Sequence, residues 1–192
     1  METTELIEAV GRGEDSANQF KEDFKNPASL AAEIVAFCNS GGGRIFIGVS
    51  DIGKVTGLSA ADVARLNQLI SNTASQGMTP PINPRSENVT HPDGLVMVVM
   101  IRPGITKPYM DKDGVIWVKS GADKRRATSR EEIQRMLQES GLVHGDEILA
   151  NGLGIADIDM DYFRAFFDRE YDEPFDKQEH SLPVLQIGRA HV

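Results

Sequence analysis

Apolar side chains recur along this chain at two periods, one near 3.6 residues and one near 2, and their alternation lays out the elements. Leu30, Ile34, Phe37 and Cys38 fall at helical spacing with Ala31 and Val35 beside them, which predicts a buried helix. Asn26 suits its N-cap, and Pro27 suits a first position whose N–H has no intrahelical partner. Gly41, Gly42 and Gly43 follow, able to take positive φ and reverse the chain. Ile45, Phe46, Ile47 and Val49 then read as a strand covered on both faces. A turn at residues 51–54 is expected to fold Val55-Thr56-Gly57 back onto it as a hairpin.

The flanking pattern supplies the other elements. Leu6, Ile7 and Val10 share one side of a short helix that ends at Gly11 and Gly13. Phe20 alternates with polar neighbours, as in a half-buried strand. Ser59 to Asp62 looks like a helix start, and Val63, Leu66, Leu69 and Ile70 mark the buried face up to Gly77. Pro80, Pro81 and Pro84 bound a loop in which Ile82 is a candidate start for an edge strand. Leu95 to Ile101 is apolar throughout and is expected to be a central strand. Val115 to Lys119 is another strand, and Ser129 to Glu132 fits a capping box for a helix carrying Ile133, Met136 and Leu137. The sum is an α+β fold with a mixed, largely antiparallel sheet packed with helices.

Composition changes little: 40% hydrophobic and 26% charged residues are ordinary for a globular chain of 192 residues. No apolar run approaches the roughly 18 residues of a membrane helix, so no membrane partner is expected and a cytoplasmic location is the default. One cysteine, Cys38, makes no intrachain disulfide, and on an apolar helix face it reads as a small hydrophobe. His91 reads as a loop residue, while His144 and His180 have no partners at metal-ligand spacing.

Charge matters more. The net charge of -9 is uneven: residues 145–186 carry -8, residues 1–144 only -2, and residues 102–135 carry +4. Arg102, Lys107, Lys119, Lys124, Arg125 and Arg126 therefore form a candidate patch for a phosphate backbone, with Arg125 and Arg126 expected in a loop just before a helix. The Gly41-Gly42-Gly43 turn is a second candidate, either an anion-binding concavity or only a helix end. It lacks the lysine and hydroxyl of a P-loop.

Taken in order, Gln19-Phe20-Lys21, the amphipathic helix, Ala36 to Gly43, Ile47 to Asp51 and Gly53 through Gly57 resemble the Schlafen AlbA-type domain. Lys107-Pro108-Tyr109, Val115 to Lys119, Gly121 and the helix after Ala127 resemble its closing segment. The resemblance implies a nucleic-acid-binding domain over residues 1–144, at the front of a bacterial transcriptional regulator or ATP-binding protein, with Lys21 as a further phosphate contact. DNA or RNA is the implied partner. Residues 145–186 are then an acidic linker and the start of a truncated ATPase-like region. ATP would concern only that missing region, and no cofactor is expected in this fragment. Residues 187–192, IGRAHV, read as translated sequencing-adapter DNA.

Two alternatives stand beside this reading. Schlafen nucleases imply three carboxylates, mapping here to Glu14, Gln19 and Asp51, that would hold Mg²⁺ or Mn²⁺; the neutral Gln19 is the departure that argues against catalysis. The third class is a protein-interaction module. A helix over residues 161–170 would present Tyr162, Phe163, Phe166 and Phe167 to the ATPase-like region or to a second copy in a homo-oligomer.

Overall fold

In the computed structural model, which describes residues 1–141, 159–171 and 174–175, the Asn26 side chain accepts from the Ala28 amide and opens α2 (Pro27–Asn39). Every residue of α2 from Leu30 to Asn39 is buried, because elements distant in sequence, among them α3 and the strands that follow it, cover it on several sides. α1 (Thr3–Arg12) precedes β1 (Asn18–Lys21), and β2 (Gly43–Ile47) follows α2. α3 (Ala60–Gln76), β3 (Met78–Thr79), β4 (Arg85–His91), β5 (Gly94–Ile101), β6 (Met110–Asp111), β7 (Trp117–Ser120), β8 (Asp123–Arg126) and α4 (Arg130–Glu139) complete the first unit, Met1–Gly145. The second unit, Asp146–Val192, contains α5 (Met160–Tyr171).

The main sheet runs β1-β2-β5-β4, with β1 parallel to β2 and the other pairs antiparallel. A parallel pair needs a crossover, and α2 supplies it. Alternation along β2 divides the core. Ile45 and Ile47 join Leu30, Ile34, Phe37, Leu66, Met97 and Val99 on the side of α2 and α3. Phe46 joins Leu6, Ala9, Phe20, Val96 and Val98 on the side of α1, with Phe20 and Phe46 edge to face at 5.6 Å. The α+β class, the both-sided burial of β2 and the inner position of β5 all agree with the sequence.

Several expectations are corrected. The chain does turn back at residues 51–54, with Val55 bridging Val49 and the Thr56 and Gly57 amides donating to the Gly48 carbonyl, but this tight turn adds no strand beside β2, which pairs with β1 and β5. Ile7 is exposed, and α1 buries Leu6 and Ala9 instead. Asn18 and Gln19 are buried with Phe20, so β1 is not half solvated. The edge strand begins at Arg85, not at Ile82, and ends at His91. Arg125 and Arg126 sit in β8, not in a loop. Ser129 accepts from the Glu132 amide, but the Glu132 carboxylate turns to Arg125 instead of completing a capping box. The closing six residues, His144, His180, His191 and most of 145–186 lie outside the described residues.

Candidate functional site

Three of the positions suggested for catalysis lie beside two lysines. The Glu14 carboxylate accepts from the Gln19 side-chain amide and from the Phe20 backbone N–H. Lys21 reaches Asp51 at 3.2 Å and stands 4.0 Å from Glu14. Lys119 donates to the Gln19 carbonyl at 2.7 Å and to the Ala122 carbonyl at 2.5 Å. Burial, with the nearby Lys124 cation, lowers the Lys119 pKa against the opposing pull of Glu33, Glu14 and Asp123. Both ends of the Gln19 amide are therefore used, and an ammonium stands between the two carboxylates. This donor set does not suit a hard divalent cation, which asks for several free oxygen ligands. Among the described residues no group of three His, Cys, Asp or Glu side chains is placed to hold a metal.

Most of the basic stretch is likewise engaged. Lys124 meets Glu33 at 2.6 Å, and Glu33 is a buried carboxylate in α2 whose Oε2 has no hydrogen-bond partner. Lys107 lies 3.5 Å from Glu139. Arg125 holds Glu132 through both guanidinium nitrogens, at 2.9 and 2.7 Å, and that pairing lowers the Glu132 pKa and raises that of Arg125. Arg126 lies over the Trp117 ring at 5.3 Å, while the indole N–H donates to Asp111. The glycine turn is closed by packing. A Cβ on Gly42, at φ +74°, would meet the Ile101 carbonyl at 2.7 Å, and one on Gly43 would strike Phe37. Only Gly41 is exposed.

A different group of cations is open. In the sheet register Arg44 of β2 and Arg85 of β4 both face Met100 of β5, so the three side chains lie in one row on one face. Two strand spacings put the arginine backbones about 9–10 Å apart. Arg102 follows directly after β5, two residues beyond Met100. Arg44 donates to the neutral Asn18 side chain and stacks over Phe46 at 5.5 Å. Among the described residues neither the Arg85 nor the Arg102 side chain has a hydrogen bond or ion pair. Glu87, the next residue on that face of β4, is committed to the N-terminal ammonium at 2.8 Å. Sequence reading found Arg102 but missed Arg44 and Arg85. Arg44 stands just before the apolar run that begins at Ile45, and Arg85 sits at the head of a strand with a single buried apolar residue, Val89, so neither falls in the basic stretch of residues 102–135.

In the second unit, Phe163 and Phe167 turn toward Phe175, with ring centroids 5.1 and 5.4 Å away, whereas Tyr162, Phe166 and Tyr171 are exposed. No helix among the described residues is long and apolar enough to cross a membrane.

Comparison with known proteins adds the following. A sequence model of the family described as Schlafen, AlbA_2 matches residues 14–128. No curated protein matches the chain significantly. The crystal structure of the DIP2311 protein from Corynebacterium diphtheriae is similar at 17% identity with a TM-score of 0.53, covering 72% of this chain and 28% of that one. The chain thus spans little more than a quarter of that relative's length. The N-terminal domain of a RecG-related protein from Nitrosomonas europaea aligns at 17% identity with a TM-score of 0.47, covering 80% of this chain and 98% of that one.

Proposed function

The chain belongs to the Schlafen AlbA_2 family, and on that premise we propose that residues 1–144 are a nucleic-acid-binding module that holds the phosphate backbone without cleaving it. Its setting is a bacterial transcriptional regulator or ATP-binding protein, and DNA or RNA is the partner. The observation that carries this reading is the arginine group around Met100: Arg44 and Arg85 in one register row, with Arg102 beside them and no carboxylate on any of the three. A guanidinium that is not already paired offers its planar fork of donors to a phosphate, and strands fix its backbone. Arg126 on the β7–β8 ribbon is a further contact of the same kind, pre-oriented by Trp117. Lys21, Lys107, Lys119, Lys124 and Arg125 serve the fold instead, since each has a partner already. The Glu14–Gln19–Asp51 group supports the non-catalytic half of the reading, because Gln19 brings no charge, its carbonyl is held by Lys119, and the Lys21 ammonium sits against Asp51 and near Glu14.

The test is binding of labelled DNA and RNA strands at low salt with Mg²⁺ or Mn²⁺ present, followed by a check of strand integrity. Binding of intact strands is expected, weakened at least about tenfold in the Arg44→Ala/Arg85→Ala/Arg102→Ala variant. Cleaved strands, with cleavage abolished in Glu14→Ala, would replace this reading by a nuclease.

A further inference from the structure

The end of the sheet where β4 starts and β5 stops carries a cleft of about 620 Å³. That volume lies within the roughly 300–1,000 Å³ of sites that take small organic molecules. Its lining is divided by chemistry: Ile82, Pro84, Met100 and Ile105 supply apolar surface, and Arg85 and Arg102 supply positive charge. Ile105 is unusual among them, since it stands 85% exposed at the cleft. A large aliphatic side chain held in water beside two unpaired guanidiniums matches a ligand that is apolar and flat at one end and anionic at the other. The nearby backbone is fixed. Tyr109 packs so closely on Gly104 that a Cβ there would lie 2.1 Å from the ring, and the Gly104 amide donates to the Cys38 carbonyl at 2.8 Å.

We propose that this cleft seats one unstacked nucleotide of a single strand, its base against Ile105, Ile82 and Pro84 and its phosphate on Arg102 and Arg85. The inference rests on the backbone-binding reading and adds a preference to it. A base enters such a cleft only when it is free of its neighbours, and in a duplex that requires unpairing and unstacking. Single strands are therefore favoured over duplexes of equal length, through apolar contact and not through additional charge. The preference comes from apolar contact with the base and so is the same in kind for every base, with Asn83 the one side-chain amide that lines the cleft.

The experiment uses the full chain, a labelled oligothymidylate strand and a duplex of the same length, each titrated at several salt concentrations with the wild type and with Ile105→Ser. Ile105 is exposed, so its replacement leaves the core untouched. The expected result is strand binding about tenfold tighter than duplex binding, with Ile105→Ser weakening the strand alone by roughly tenfold at an unchanged salt slope. A strand containing one 2-aminopurine should brighten on binding as the base leaves its stack, and brighten less with Ile105→Ser. Salt-dependent binding of strand and duplex alike would overturn the cleft and leave the backbone reading standing. A strand preference indifferent to Ile105→Ser would also overturn the cleft. Failure of both strand and duplex to bind at low salt would overturn the backbone reading, and the cleft with it.

Discussion

Cys38 shows how far burial alone sets the chemistry of a residue. Its thiol is 1% exposed on α2, and burial pushes its pKa up to about 12 even though Lys107 pulls the other way. Against the ordinary value of 9.0, the thiolate at pH 8 is about a thousandfold scarcer. Native protein at pH 8 should therefore resist iodoacetamide while urea-unfolded protein reacts, and native labelling should rise only as the pH climbs toward 12. Equal labelling of both states would mean that α2 is not buried as described. The sequence made this residue legible, because a cysteine at helical spacing among Leu30, Ile34 and Phe37 belongs to the core face. The glycines were less legible. Three in a row are compatible with an anion site or with close packing, and only the positions of Ile101, Pro103 and Phe37 decide for packing at Gly42 and Gly43.

At the level of elements, α2 is the post to which the β7–β8 ribbon is tied. The Asn39 side chain donates to the Tyr109 and Trp117 carbonyls and accepts from the Tyr109 amide, all at 2.7–2.9 Å. Ser40 accepts from the Lys119 amide, and Glu33 takes Lys124. A carboxylate 3% exposed needs that ammonium, since an unpaired buried charge is costly. Lys124→Met should therefore lower stability in urea by about 3 kcal/mol, and adding Glu33→Leu should restore most of it. A Lys124→Met variant as stable as the wild type would return Lys124 to the list of free phosphate contacts. Strands, helices and their caps were largely readable from periodicity. β4 was not, because its residues Arg85 to His91 alternate among mostly exposed positions and bury only Val89, which leaves an edge strand without a hydrophobic signature. The parallel pairing of β1 with β2 was also hidden, since register across a crossover leaves no local mark in sequence.

Across the whole molecule, the distinction that matters is between charges that hold the fold and charges that remain available. Counting bases along residues 102–135 gave a positive stretch, yet Lys107, Lys119, Lys124 and Arg125 each have a partner supplied by residues distant or near in sequence. Arg44, Arg85 and Arg102 come from three separate segments, and only the sheet register brings the first two alongside Met100. A linear sequence cannot display that juxtaposition, which is why the family and fold class were legible and the proposed arginine interface was not. Most of the net acidity, -8, belongs to residues 145–186, while residues 1–144, to which the binding is assigned, are near neutral at -2.

The most direct measurement is the slope of log Kd against log salt concentration for a labelled strand and its duplex, in the wild type, in Arg85→Ala/Arg102→Ala and in Arg125→Ala. Each lost phosphate contact removes about 0.9 from the slope for duplex DNA or about 0.7 for a single strand. The account predicts a slope shallower by about 1.8 or 1.4 in the double variant, and no change in Arg125→Ala, whose guanidinium already holds Glu132. A slope unchanged by Arg85→Ala/Arg102→Ala but reduced by Arg125→Ala would contradict it and move the interface to the ribbon.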